Sequence, residues 1–137
     1  MGELIRAAYD GPMALFVNTL SVDSRDPLAL ARFWSAALDW PIVQQDDDEV
    51  MVVPSRERPP PPGVYPLSFF RVPDAKSVKN RWHFDLAPED QDAEVRRLEG
   101  LGARRIDIGQ GEQSWVVMAD VEGNEFCVLR SLPAGNA

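Results

Sequence analysis

The chain has 137 residues, of which 45% are hydrophobic, and its formal net charge at pH 7 is −8. This size and composition predict one folded domain with a substantial core and exclude a disordered chain. The acidic balance argues against nucleic acid and anionic membrane surfaces as partners, because both need a basic face on the protein.

The first half of the chain reads as a strand, a helix and three further strands. Asp26 can cap the helix and Pro27 suits its first turn, and apolar residues then recur at helical spacing up to Trp40. The strands are predicted from short apolar, β-branched runs that end at turn residues. The predicted strands are residues 13–22, 41–45, 50–55 and 64–72.

The second half repeats this order. A helix is predicted over residues 88–103, because Val95 and Leu98 belong to an apolar stripe and Gly102 is a natural C-cap. The predicted strands are residues 81–87, 103–109, 113–123 and 125–132.

The chain therefore reads β-α-β-β-β twice, which predicts a duplicated α+β unit. We expect one domain over residues 13–132, made of two modules. A proline-rich stretch, residues 56–63, is too short to separate domains. The expected modules are residues 13–73 and 79–132, and the expected tails are residues 1–12 and 133–137.

The segment NRWHFDL, Asn80–Leu86, contains the only histidine. In a strand, His83 and Asp85 point to one face and Trp82 points to the other. We therefore expect Trp82 to pack under the helices, while His83 and Asp85 face a ligand. Alternate strand residues lie about 7 Å apart, so a water or ligand group is expected to bridge His83 and Asp85.

Three segments carry a resemblance to a known family: KNRWHFDL, the helix ending RRLEGLGA, and SWVVMADVEGNEFCVL. Together they resemble the glyoxalase-like branch of the vicinal oxygen chelate superfamily, over about residues 13–132. The resemblance implies two βαβββ modules that form a curved, U-shaped mixed sheet around a cleft. Its members include metal-dependent isomerases, ring-cleaving dioxygenases, epoxide-opening resistance enzymes and metal-free antibiotic-binding proteins.

The resemblance also implies where a metal would bind, since metal-using members place one ligand on the first and one on the last strand of each module. In the first module these positions fall on Val17 and Phe70. In the second module they fall on His83 and Cys127, with Glu125 nearer the turn. A catalytic ion needs about three protein ligands. We therefore expect no metal and no other cofactor; if a metal binds, His83 would hold it with Cys127 or Glu125.

Each candidate residue also has a structural interpretation. His83 is a ligand donor or a catalytic general base, or else an inert strand histidine. Cys127 is a ligand contact or a buried structural thiol. Trp115 and Phe70 suit a planar organic ligand, and core packing explains both rings equally well. The candidate ligand-binding residues are His83, Asp85, Cys127, Glu125, Phe70, Trp115 and Val17.

The expected function is the binding of a small organic molecule in an apolar cleft, as in metal-free proteins of the bleomycin-resistance type. The alternative is a lyase or isomerase of the glyoxalase type that uses a partial metal site or His83 as general base. An interaction module without a ligand is a weaker third choice, because the predicted pocket strand carries ionisable groups.

Partners and compartment follow from more general features. A homodimer is expected because exposed sheet edges are normally paired or covered, and related two-module proteins often form one. One cysteine cannot form an internal disulfide, and no apolar run is long enough to span a membrane. The first residues do not resemble a signal peptide. We therefore expect a cytoplasmic protein.

Overall fold

The computed structural model describes residues 15–54 and 64–131. Both predicted tails and the proline-rich stretch 56–63 lie outside the described residues. The chain divides into two compact units, Met1–Asp74 and Ala75–Ala137. Each unit contains one β-α-β-β-β series, so the predicted order of elements and the α+β class are confirmed.

The first unit places one helix against a four-stranded mixed sheet. Its elements are β1 (Leu20–Ser24), α1 (Pro27–Leu38), β2 (Ile42–Gln45), β3 (Glu49–Val52) and β4 (Leu67–Arg71). The sheet order is β1-β4-β3-β2, with β1 parallel to β4 and the other neighbours antiparallel. The helix contacts β3 and β4, and Leu30, Val50 and Phe69 are completely buried. Each such side chain stabilises the fold by about 1.5–3 kcal/mol.

The second unit has the same topology. Its elements are β5 (Asp85–Leu86), α2 (Gln91–Leu101), β6 (Arg104–Arg105), β7 (Val116–Ala119) and β8 (Glu125–Val128). The sheet order is β5-β8-β7-β6, with β5 parallel to β8 and the other neighbours antiparallel. The helix contacts β6 and β8, and its Val95 and Leu98 are buried as the apolar stripe predicts.

Local side-chain chemistry sets the ends of both helices. The carboxylates of Asp26 and Asp90 accept hydrogen bonds from the N–H groups of Ala29 and Ala93, at 3.2 and 3.1 Å. Each such cap stabilises its helix by about 1 kcal/mol. The second helix ends at Gly102, whose φ of 114° and close approach to Val121 exclude a side chain.

The first strand of each unit is shorter than predicted. β1 begins at Leu20, and β5 contains only Asp85 and Leu86. Trp82 therefore precedes the strand and is 84% exposed, so the prediction that it packs under the helices is wrong. Period-two alternation assigns a side chain to a face only where the backbone is extended and paired. Among the described residues, no helix has the length and apolar character needed to cross a membrane.

Candidate functional site

Three predicted site residues, His83, Asp85 and Cys127, meet at the parallel pair of strands in the second unit. Asp85 of β5 is the register partner of Cys127 of β8, and the N–H of Cys127 donates to the carbonyl of Phe84 at 2.8 Å. This register places the Asp85 carboxylate beside the Cys127 thiol on one sheet face. One nitrogen, oxygen or sulfur atom from each of the three residues lies within 4.8 Å of the others.

His83 contacts Asp85 directly. Its Nδ1 lies 3.1 Å from Oδ1 of Asp85, within hydrogen-bond distance. The prediction of a bridging water or ligand group is therefore wrong, because His83 precedes β5 and its backbone does not continue the strand. The two side chains are 37% and 53% exposed. With Nδ1 directed at the carboxylate, Nε2 remains for a ligand.

The Cys127 thiol is almost covered, since the residue is 8% exposed. Burial raises the pKa of this thiol above its ordinary value of 9.0, and the neighbouring Asp85 carboxylate raises it further. Lys79 has a smaller, opposite effect. The thiol therefore stays protonated at neutral pH, which suits a hydrogen-bond donor and not a nucleophile.

Glu125 lies on the same strand as Cys127 but has other partners. It is 6% exposed, its Oε1 lies 2.6 Å from Nζ of Lys76, and both carboxylate oxygens accept from the N–H of Asn80, at 3.1 and 3.2 Å. Burial alone would raise the pKa of Glu125. Lys76 and the Asn80 N–H outweigh burial and lower that pKa below its ordinary value. The carboxylate is therefore charged and already engaged.

The two first-module candidates are partly exposed apolar residues of the first unit. Val17 precedes β1 and is 52% exposed. Phe70 is the register partner of Asp23 and is 37% exposed. In the first unit, no His, Cys, Asp or Glu cluster of metal-binding dimensions occurs among the described residues.

Counting from the helix caps indicates different first-module counterparts. Counted back from the two N-caps, His83 matches Thr19 and Asp85 matches Ser21. Ser21 pairs in parallel register with Ser68, as Asp85 pairs with Cys127, so Ser68 is the counterpart of Cys127. The cap aspartates were the sequence signal that could have located these positions.

Ser68 has an unusual environment. The residue is 2% exposed, and within the part of the chain that the structure describes its hydroxyl has no hydrogen-bond partner. Leaving a buried hydroxyl unpaired costs about 1–3 kcal/mol. The first unit therefore carries a buried, unused polar group at the position where the second unit carries its thiol.

Trp115 lines an open pocket of about 440 Å³ in the second unit. The ring is 37% exposed, and Arg105 and Gln110 also line the pocket. A further lining residue, Val117, is the register partner of Cys127. The strand that borders the pocket is therefore hydrogen-bonded to the strand that carries the thiol.

Comparisons with known proteins agree with this architecture. The sequence model of one protein family, the glyoxalase-like domain, matches residues 19–129 of this chain. None of the curated proteins matches the sequence.

Several solved structures share the fold at low sequence identity. A glyoxalase/bleomycin resistance protein/dioxygenase family enzyme from Burkholderia phytofirmans PsJN is 15% identical with a TM-score of 0.61, and the match covers 84% of this chain and 98% of that one. The fosfomycin resistance protein FosX from Listeria monocytogenes is 11% identical with a TM-score of 0.63, and the match covers 88% of this chain and 94% of that one. A bleomycin resistance determinant encoded on transposon Tn5 is 18% identical with a TM-score of 0.53, and the match covers 87% of this chain and all of that one (100%).

Proposed function

We propose that this chain, which belongs to the family of glyoxalase-like domains and to the vicinal oxygen chelate superfamily, binds a small organic molecule without a catalytic metal. The observation that carries the proposal is the meeting of His83, Asp85 and Cys127 at the β5–β8 pair. An imidazole, a carboxylate and a neutral thiol provide a few convergent polar groups, which is the usual composition of a small-molecule site.

The three groups have distinct roles in this proposal. Asp85 holds Nδ1 of His83 and so orients the ring, leaving Nε2 for the ligand. The protonated Cys127 thiol donates a weak hydrogen bond. Trp115 lines a pocket of the same unit that His83, Asp85 and Cys127 do not line, and it supplies there a flat aromatic surface for a planar group.

A role in antibiotic binding or resistance is the more specific form of the proposal. Two of the similar solved structures are described as a bleomycin resistance determinant and a fosfomycin resistance protein. Both share the fold at under 20% identity, so their ligands are starting points for a search.

The absence of a catalytic metal is proposed from the donor chemistry of the first module. Thr19 and Ser68 correspond there to His83 and Cys127. Neutral hydroxyl groups are poor substitutes for the imidazole, thiolate and carboxylate ligands that hold zinc. The first module therefore offers no imidazole, thiol or carboxylate at these two positions.

A glyoxalase-type lyase or isomerase is the second candidate, favoured by the distances within the second-unit cluster. His83, Asp85 and Cys127 offer three different zinc-ligand types whose atoms lie within 4.8 Å of one another. A bound divalent ion would supply Lewis acidity, and the thiol would lose its proton to become a ligand. In the metal-free form of this candidate, His83 acts as the general base.

One titration series distinguishes the two candidates. The full-length protein, treated with EDTA, is screened by NMR against an antibiotic panel that contains bleomycin and fosfomycin, and then retested with Zn²⁺ or Mn²⁺. We expect a binder in the presence of EDTA, signal changes at His83, and about tenfold weaker binding in His83→Ala. Glu89→Gln, an exposed change in the same unit, is the control and should bind as wild type.

Two results would contradict the metal-free proposal. One is binding that occurs only after metal is added. The other is elemental analysis of the purified protein that gives close to one metal per chain, with the metal lost in His83→Ala.

A homodimer also remains part of the proposal, from the argument about exposed sheet edges. Light scattering at micromolar concentration should give about twice the chain mass of 15.3 kDa. A single species at the chain mass would contradict it.

A further inference from the structure

We infer that Glu125 is a positioning residue, which ties the segment that carries His83 to the strand that carries Cys127. The inference rests on the proposed function, because it assigns Glu125 the task of holding the two sides of that site together. It replaces the expectation that Glu125 itself contacts a ligand or a metal.

The segment that carries His83 needs an external anchor. Residues 75–84 contain neither helix nor strand, and Trp82 and Val78 are 84% and 75% exposed. Its contacts with β8 include those of Lys76 and Asn80 with Glu125 and the bond from the Cys127 N–H to the Phe84 carbonyl. The Phe84 bond lies after His83 in the chain, and Glu125 supplies an anchor before it.

Glu125 is suited to this task by its own support. It lies in the centrally placed strand β8, where it is the register partner of Ala119, and it is nearly inaccessible to solvent. Its two oxygens share the Asn80 N–H, and Oε1 also contacts the Lys76 ammonium. A charged, buried carboxylate that is held by two donor groups from different positions has one favoured orientation.

The geometry then links both ends of the site. Glu125 and Cys127 are alternate residues of β8 and so share a sheet face. On the other side, only Arg81 and Trp82 separate Asn80 from His83. A displacement of Asn80 is therefore transmitted to His83, whose contact with Asp85 depends on a local, non-strand backbone.

The test uses the fact that the chain has one histidine and one cysteine, so each gives a single, unambiguous signal. The imidazole ¹⁵N shifts report which ring nitrogen of His83 carries the proton, and the rate of reaction with dithiobis(nitrobenzoate) reports access to Cys127. The variants are Glu125→Gln, which keeps the shape but not the charge, and Lys76→Met. Lys76→Arg tests rescue, and Glu89→Gln removes an exposed charge as the control.

We expect Glu125→Gln and Lys76→Met to lose the wild-type imidazole signature and to react at Cys127 about tenfold faster, since the segment opens more easily. Lys76→Arg and Glu89→Gln should stay within about twofold of wild type. Wild-type imidazole shifts and labelling rate in a folded Glu125→Gln protein would overturn the inference. If Glu125→Gln does not fold, the same two measurements are made on Lys76→Met, and wild-type imidazole shifts and labelling rate in that variant would overturn the inference.

Both readouts are made without a ligand. Failure of the positioning role therefore leaves the ligand-binding proposal in place, and failure to find a ligand leaves the positioning role in place.

Discussion

The two units repeat one backbone topology but place different chemistry at matching positions. In the second unit the parallel strand pair joins Asp85 to Cys127, beside His83. In the first unit the matching pair joins Ser21 to Ser68. The duplicated fold therefore carries an unduplicated polar cluster, because side-chain chemistry can change at a register position without disturbing the backbone hydrogen bonds that define that register.

The largest expected effect comes from the helix-facing sides of the sheets, where the two units should behave alike. Phe69→Ala and Phe126→Ala should each lower the free energy of unfolding by about 3–5 kcal/mol, because both rings are essentially inaccessible to solvent. Urea denaturation measures the change. Trp82→Ala is the aromatic control and should change it by about 0.5 kcal/mol or less, since that ring is 84% exposed. A large loss in Trp82→Ala would restore the interpretation of Trp82 as a core residue.

Acid should weaken the second unit through Glu125. The pKa of Glu125 lies below its ordinary value of 4.5 in the folded protein, so the unfolded chain takes up its proton first as the pH falls. Its contribution to stability is complete above pH 4.5 and is lost as the pH falls through the folded-state pKa. Urea unfolding of wild type and Glu125→Gln between pH 7 and pH 3 should therefore show a difference that shrinks on acidification. A difference independent of pH would contradict this.

Removing the buried hydroxyl of Ser68 should change the free energy of unfolding in the opposite direction from removing that of Ser24. Ser68→Ala removes an unpaired buried group and should raise the free energy of unfolding by about 1 kcal/mol. Ser24→Ala is the matched change, since Ser24 is equally buried but accepts a hydrogen bond from the Asp26 N–H at 3.1 Å. It should lower that free energy by about 1 kcal/mol. Equal effects of the two substitutions on thermal or urea unfolding would show that Ser68 has a partner in solution.

The smallest expected effect is on the alkaline pH dependence of stability, and it comes from Cys127. The counterpart of Cys127 in the first unit, Ser68, does not ionise. The pKa of the thiol is raised above 9.0 in the folded protein, so above pH 9.0 the unfolded chain loses this proton first. Stability should therefore fall as the pH rises above 9.0, and Cys127→Ser should remove that part of the fall. Thermal unfolding of both proteins between pH 7 and pH 10.5 measures it. Identical alkaline profiles would indicate that the thiol is not held protonated by its surroundings.

Local features of the sequence predicted both helices, although the second begins at Gln91, three residues later than predicted. Asp26, Pro27 and Gly102 lie at the helix ends where capping preferences place them, because a cap involves residues only a few positions apart. The strands were located but their lengths were not. β5 contains only Asp85 and Leu86, and no local pattern in NRWHFDL indicates that pairing with β8 begins so late.

Of the seven candidate residues, three lie together in the structure, and the contacts they make were not predicted. The resemblance placed His83 and Cys127 in matching positions, and the structure brings both to Asp85. The direct contact of His83 with Asp85 was missed because it depends on a non-strand backbone at His83. The pairing of Lys76 with Glu125 was missed because nothing in the sequence relates two residues so far apart.

By itself, then, the sequence determined the twofold β-α-β-β-β order, the start of the first helix and the glycine cap of the second, because periodicity and capping act between near neighbours. Only the tertiary structure decided which polar groups meet. The parallel strand pairs join residues that are distant in the chain. The pairing of β5 with β8 places Cys127 beside Asp85, and the pairing of β1 with β4 places Ser68 beside Ser21. The surroundings then set the charge of each group. Burial and the Asp85 carboxylate keep the Cys127 thiol neutral, whereas Lys76 and the Asn80 N–H keep Glu125 ionised.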